Sequence, residues 1–144
     1  MVKILVLLGP NLNLTGIRKT DIYGTKSFDE INRDIYAYAE KSGYKADIFQ
    51  SNHEGVLIDK IHETLNGKYK AVIINPGALT HYSYALRDAI ESVRVPFIEV
   101  HMSDISKRED FRKISVLRDV CKEQIMGFGE KSYFMALDKI KEYI

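Results

Sequence analysis

Ala71-Val72-Ile73-Ile74-Asn75-Pro76-Gly77-Ala78-Leu79-Thr80-His81 is the stretch whose reading decides the fold. Four successive apolar residues, Ala71 to Ile74, suit a strand buried on both faces. Asn75, Pro76 and Gly77 then disfavour further strand, so the run stops abruptly at a polar cluster. Asn-Pro-Gly is also an ordinary turn signal. In an open parallel sheet, however, ligands bind in the crevice at the carboxyl ends of the strands, which makes Asn75 and the residues after it the first place to look for chemistry.

Working outward, Val2 to Leu8 is a nearly continuous apolar run ending in Gly9-Pro10-Asn11, the pattern of a first buried strand. The connection from Gly9 to Lys26 is long for such a fold, and long loops in compact domains are commonly functional. Ser27 and Glu30 have the spacing of a capping box, followed by a helical stripe of Phe28, Ile31, Ile35 and Tyr38/Ala39 that ends near Gly43. Tyr44 to Gln50 reads as a second strand. Ser51 and Glu54 repeat the capping-box spacing, and Leu57, Ile58, Ile61 and Leu65 mark a helix stopped by Asn66-Gly67.

Beyond the opening stretch, Leu86, Ala89, Ile90 and Val93 give another helical stripe, and Pro96 introduces a fourth strand through Phe97, Ile98 and Val100. Arg108 to Asp119 is polar and poorly periodic. Gln124 to Phe128 fits a short last strand, and Tyr133, Ala136, Leu137 and Ile140 a closing helix. Strand and helix alternating five times predict a doubly wound α/β sandwich with a five-stranded parallel sheet and right-handed crossovers. The commonest order for five strands is 2-1-3-4-5, which puts the switch point between strands 1 and 3.

Composition limits the function. The 144 residues are most simply one domain, 1–144, long enough to bury a core without disulfide or metal. An apolar fraction of 45% and a charged fraction of 28% are those of a globular protein, and no apolar run approaches the ~20 residues of a membrane span. Met1-Val2-Lys3-Ile4 enters a strand directly, unlike a signal peptide, and a single cysteine, Cys121, fits a reducing compartment as a packing residue. A cytoplasmic location is expected. A net charge of +1 gives no global field for nucleic acid or an anionic membrane, so neither is expected as a partner.

Three neighbouring strands deliver polar groups to one edge: Asn11 just past strand 1, Asn75 ending strand 3, and the run Glu99-Val100-His101-Met102-Ser103 ending strand 4. Alternation along a strand puts Glu99, His101 and Ser103 on one side, with Val100 and Met102 on the other. A carboxylate beside an imidazole favours its protonated form and selects which nitrogen faces a substrate, as a general acid requires. A solvent-facing pair at a strand end would have the same sequence. The loop after strand 1 holds Arg18 and Tyr23. A tyrosine, with a reference pKa of ~10, becomes a usable base only where a neighbouring cation stabilises the phenolate. Most of the nine tyrosines are expected to pack instead, and Arg18-Lys19 also suits a solvated loop.

Other chemistries lack their signatures. Gly9 to Gly16 has neither GxGxxG nor GxxxxGK[ST]. The four histidines, His53, His62, His81 and His101, show no paired-ligand spacing, and no metal site is expected. There is no GxSxG elbow, and no lysine except Lys3 falls in an apolar run, which leaves an imine mechanism without a good candidate.

The segments GPNLNLTG (9–16), Arg18, Tyr23-Gly24, QSNHEG (50–55), INPGALTH (74–81), ALRDAI (85–90), IEVHMS (98–103) and REDFR (108–112) resemble, in order and spacing, type II 3-dehydroquinate dehydratase. The resemblance covers nearly the whole chain. It implies a flavodoxin-like domain assembled as a dodecamer, a tetramer of trimers. It also implies anti elimination of water from 3-dehydroquinate to 3-dehydroshikimate, in the shikimate pathway toward chorismate and the aromatic amino acids, with no cofactor. Position by position, Tyr23 matches the base, with Arg18 holding it as phenolate, and His101 matches the acid, with Glu99 behind it. Asn11 is similar to the residue that positions a water at the enolate oxygen. Asn75, His81, Met102, Ser103 and Arg112 match substrate-binding positions, Asp88 one supplied across the trimer interface, and Arg108 an arginine near the mobile lid.

Departures from the family pattern fall at its edges: Thr15 where leucine is usual, Asp104 where asparagine is usual, Ile114 where histidine or lysine is common, and a highly charged Val116 to Gln124. Two other classes share such a fold. A receiver-type signalling domain would need acidic residues after strand 1 and an aspartate ending strand 3, where this chain has Gly9-Pro10-Asn11 and Asn75. A flavin carrier would be coloured when purified.

Overall fold

The computed structural model describes residues 1–144. Its first strand, β1 (Val2–Leu8), lies at the centre of a five-stranded sheet with β2 (Tyr44–Gln50), β3 (Ala71–Asn75), β4 (Phe97–His101) and β5 (Glu123–Met126), in the order 2-1-3-4-5. All four pairings are parallel. The register sets Leu8 opposite both Gln50 and Asn75, and Ile74 opposite Glu99, so β1, β3 and β4 end close together. The last strand begins and ends earlier than the Gln124 to Phe128 run expected, because Gly127 takes φ +91° and turns the chain there.

Alternation along the strands divides the core into two. Ile4, Val6 and Leu8, with Ile73, Ile98 and Val100, face α2 (Phe28–Lys41) and α5 (Lys131–Ile140), meeting Ile31, Ile35, Tyr133 and Leu137. Leu5, Leu7, Val72, Ile74 and Phe97 face α3 (Glu54–His62) and α4 (Tyr84–Ser92), meeting Leu57, Ile61, Leu86 and Ile90. Each of these Leu and Ile side chains contributes roughly 2 kcal/mol by leaving water. Truncating one, as in Ile73→Ala, adds a cavity penalty because β3 is closed in on both faces.

The first capping box forms as the spacing predicts: Ser27 Oγ accepts from the Glu30 amide at 3.1 Å, and Glu30 Oε1 from the Ser27 amide at 3.3 Å. The second does not. Ser51 Oγ accepts from the His53 amide at 3.0 Å, while Glu54 accepts from Ser83 Oγ at 2.5 Å, so His53 caps α3 with no side-chain bond. Ser83 thereby ties the start of α4, which it caps through the Leu86 amide, to the start of α3.

The loop after β1 contains a short 3-10 turn (Leu12–Leu14) and a single helical turn, α1 (Thr20–Tyr23). The polar segment after β4 folds as three 3-10 turns, Ile105–Lys107, Asp110–Arg112 and Arg118–Val120. The ends of β1 and β3 pack backbone to backbone: the Gly9 amide donates to the Asn75 carbonyl at 2.8 Å, and a Cβ on Gly9 would lie 2.3 Å from the Pro76 oxygen. Only glycine permits that approach. No helix is long and apolar enough to cross a membrane.

Candidate active site

At the carboxyl edge of the sheet, over β1, β3 and β4, lies a cleft partly open to solvent. Its walls include Asn11, Arg18, Tyr23, Asn75, His81, His101, Met102, Ser103, Arg108 and Arg112, together with Pro10, Leu12, Gly77, Ala78 and Ile105. Of the residues the sequence points to, Glu99 lies beneath this lining and Asp88 lies away from it. Asp88 is exposed on α4, and its carbonyl accepts from Ser92 Oγ.

The two expected proton-transfer groups are both present, each held by a charged partner. Tyr23 closes α1 and is half-buried. Arg108 donates to its hydroxyl at 2.6 Å, and the guanidinium carbon of Arg18 lies 4.9 Å from its ring centroid. Arg18, expected to hold the tyrosine, covers its ring face, and Arg108, from the segment after β4, meets the oxygen. Arg108 also lies over the ring, at 5.3 Å.

His101 ends β4, 5% exposed, and its Nε2 lies 2.6 Å from Oε2 of a fully buried Glu99. Nδ1 is then the ring nitrogen free for a ligand in the cleft. Met102 packs into the α2/α5 core, as alternation requires, although its edge still reaches the cleft. Thr80 Oγ1 also donates to Glu99 Oε2 at 2.6 Å, and Ser115 Oγ lies 2.8 Å from both carboxylate oxygens. Burial pushes the Glu99 carboxyl up, but the bond and charge of His101, with the Thr80 and Ser115 hydroxyls, outweigh it and hold the group below the ordinary carboxylate value.

His81 leaves the 3-10 turn Gly77–His81, with Nδ1 2.7 Å from the Ile114 carbonyl, which makes Nδ1–H the donor and leaves Nε2 open. Burial lowers its pKa below the usual histidine value, against the raising effect of that hydrogen bond and together with the nearby charge of His101, Arg112 and Arg108. Ile114 thus meets His81 through its backbone carbonyl while its side chain is exposed. Arg112 packs over Phe111 and pairs with Glu109 at 2.8 Å.

Asn75 lines the cleft, yet its amide is committed inward. Nδ2 donates to the buried Tyr133 hydroxyl at 2.8 Å, and Oδ1 accepts from the Gly77 amide at 3.2 Å. The side chain thus pins the β3 turn to α5. Asn11 adopts φ +69°, a conformation asparagine tolerates better than most residues, and its amide donates to Asn52 Oδ1 at 3.0 Å. Gln50 Nε2 donates to the same oxygen at 3.1 Å and to the Gly9 carbonyl at 3.1 Å. The QSNHEG segment therefore clamps the turn that carries Asn11.

Thr80, Ser115, Gln50 and Asn52 are the site residues sequence reasoning missed. Thr80 adjoins His81 in the deciding stretch, but Ser115 lies in a polar segment without periodicity, so nothing local marked either as a partner of Glu99. No group of three or more His, Cys, Asp or Glu side chains is arranged to hold a metal ion.

Three guanidinium groups line the cleft, and its nearest carboxylates are engaged, Glu99 with His101 and Glu109 with Arg112. Such a cleft presents positive charge suited to an anion, and the fold with a cleft at this edge defines an α/β protein of flavodoxin-like topology. The chain belongs to the family Dehydroquinase class II, whose model matches residues 2–141.

It is 53% identical over 144 residues to the 3-dehydroquinate dehydratase of Caldicellulosiruptor bescii, covering 100% of this chain and 99% of that one. It is 51% identical over 142 residues to the 3-dehydroquinate dehydratase of Bacillus cytotoxicus, covering 99% and 97%. Among solved structures, the type II dehydroquinase of Butyrivibrio crossotus superposes with a TM-score of 0.95 at 48% identity, over 97% of each chain. That of Propionibacterium acnes gives 0.92 at 37%, over 96% and 94%.

Proposed function

We propose that this protein dehydrates 3-dehydroquinate to 3-dehydroshikimate, with Tyr23 as general base and His101 as general acid. The observation that carries the reading is the opposition, across one cleft, of an arginine-bound tyrosine and a carboxylate-backed histidine. Tyr23, as phenolate beside Arg108 and Arg18, takes a proton from the carbon next to the ketone, and the electron pair moves onto the ketone oxygen as an enolate. That oxygen needs a fixed donor, and Asn11 holds a water against it. The enolate then collapses, the carbon–oxygen bond to the β-hydroxyl breaks, and His101 protonates the departing oxygen to give water and a conjugated enone.

Arg112 suits the substrate carboxylate, since a guanidinium offers paired donors to two oxygens. His81 Nε2, Ser103 and the Met102 backbone meet the hydroxyls, and Asn75 shapes the floor. Asp88, exposed on α4, is supplied to a neighbouring subunit in a dodecamer, a tetramer of trimers. The working unit is a single domain, 1–144, acting in the cytoplasm without a cofactor. The test is direct: purified protein mixed with 3-dehydroquinate alone should develop the near-ultraviolet absorbance of the conjugated enone. Folded protein that leaves the substrate unchanged would reject the reading.

A further inference from the structure

Beneath the cleft, Glu99 is held by more than the histidine it serves. Thr80 Oγ1 donates to Oε2 at 2.6 Å, and Ser115 Oγ sits 2.8 Å from both oxygens. The protons can be counted. Each hydroxyl has one, and the carboxylate is their acceptor. The Leu117 amide donates to Ser115 Oγ at 3.2 Å, occupying a lone pair of that hydroxyl and turning its proton toward Glu99. With His101 Nε2 at 2.6 Å, the carboxylate is met by three side-chain donors and is 0% exposed. Neither hydroxyl lines the cleft, so neither can touch a substrate there.

Three separate parts of the chain build this arrangement: the 3-10 turn after β3 brings Thr80, β4 brings Glu99 and His101, and the segment after REDFR brings Ser115. The Val116 amide donates to the Thr80 carbonyl at 2.8 Å, which locks the two hydroxyl-bearing segments together. A buried carboxylate is costly unless donors compensate it. Without them its proton affinity rises, and the proton shared with His101 moves toward the carboxylate.

We propose that Thr80 and Ser115 are positioning residues for the acid half of the reaction, keeping Glu99 ionised and aimed at His101 Nε2 so that Nδ1 delivers the proton. This rests on the reading of His101 as the acid. The other titratable groups near the pair are Cys121, whose thiol is pushed up by burial and by the charges of Glu99 and Asp119, and His81, with Arg112 and Arg108 beside it.

The test compares Thr80→Val and Ser115→Ala with the hydroxyl-retaining Thr80→Ser and Ser115→Thr. Removing a hydroxyl should raise the acid limb of the kcat/KM profile by about one pH unit and lower kcat about tenfold, with KM within about twofold. The hydroxyl-retaining pair should recover most of both. A role confined to packing would lower the unfolding midpoint and leave the pH profile in place, and that result overturns the proposal. So does failure of the retained hydroxyl to rescue. If Thr80→Val does not fold, Ser115→Ala, at a half-buried site, decides alone.

An NMR titration of isotopically labelled His101 separates this proposal from its parent. In Ser115→Ala the low-pH step of the Glu99–His101 pair should move upward, and an unmoved step overturns the hydroxyl assignment. Inactivity of the wild type toward 3-dehydroquinate would instead reject the parent reading.

Discussion

Arg108 donates to the Tyr23 hydroxyl at 2.6 Å, joining residues 85 positions apart, while Arg18, five residues from the tyrosine, covers only the face of its ring. The first contact is directional and points at the atom that carries negative charge in the proposed mechanism. The second supplies charge without a hydrogen bond. A charge-assisted bond contributes about 1.5–3 kcal/mol. Arg108→Ala should therefore lower kcat by about 10- to 100-fold, and adding Arg18→Ala should lower it further because both charges bear on one oxygen. Steady-state kinetics decide, and an Arg108→Ala enzyme with normal kcat would contradict this account.

Tyr23→Phe and His101→Ala each remove a group proposed to transfer a proton, and general acid–base catalysis of that kind is worth about 10²–10⁴ in rate. Both variants should fold, since Tyr23 is half-buried and His101 sits at the edge of the cleft. Circular dichroism confirms folding, and the absorbance assay should fall by at least the lower of those factors. A near-normal rate in Tyr23→Phe would remove the assigned base.

Stability should fall in acid. Glu99 has a folded pKa below its unfolded value, so the folded state binds fewer protons than the unfolded chain. Its contribution is complete above the unfolded carboxylate value of ~4.3 and is lost as pH falls through the lower, folded value. His81 has the same sign at higher pH: its depressed folded value makes its loss begin below ~6.5. Urea unfolding between pH 3 and 7 should show stability decreasing toward acid, and Glu99→Gln should flatten the lower part of that curve.

The buried Tyr133 hydroxyl, paired with Asn75, predicts the opposite slope at high pH. Burial pushes its pKa up to about 12 against the lowering effect of Asn75, so its contribution is intact below ~10 and lost as pH rises toward that value. Tyr133→Phe leaves the Asn75 amide without its partner and should cost about 1–3 kcal/mol at neutral pH. Equilibrium unfolding at pH 7 and pH 11 measures both effects, and no loss at pH 7 would show the pairing to be dispensable.

Gly9→Ala tests the junction of β1 and β3. The new Cβ would meet the Pro76 oxygen at 2.3 Å, far inside contact distance, and must push the two turns apart. A loss of about 2–3 kcal/mol is expected, together with reduced activity because Asn11 and Asn75 move with their turns. Thermal unfolding alongside kinetics would register both, and an unchanged midpoint would count against the close approach.

By itself the sequence determined the strands, their faces and the edge where the candidate site residues gather. Those follow from local pattern: buried runs such as Val2–Leu8 and Ala71–Ile74, the period of two that turns Glu99 and His101 away from Val100, and stops such as Asn75-Pro76-Gly77. The parallel order followed as well, since alternating strands and helices leave few topologies. Tertiary structure alone decided which side chains meet. Glu54 has the spacing of a capping box but bonds Ser83, because α4 brings that hydroxyl within 2.5 Å. Asn75 ends its strand at the cleft but turns its amide to Tyr133 on α5. Arg108 reaches Tyr23, and Thr80 and Ser115 converge on Glu99, from segments that share no periodicity with their partners. A hydrogen bond depends on distance and angle in space, and between residues far apart in the chain those are set by how the helices and loops pack.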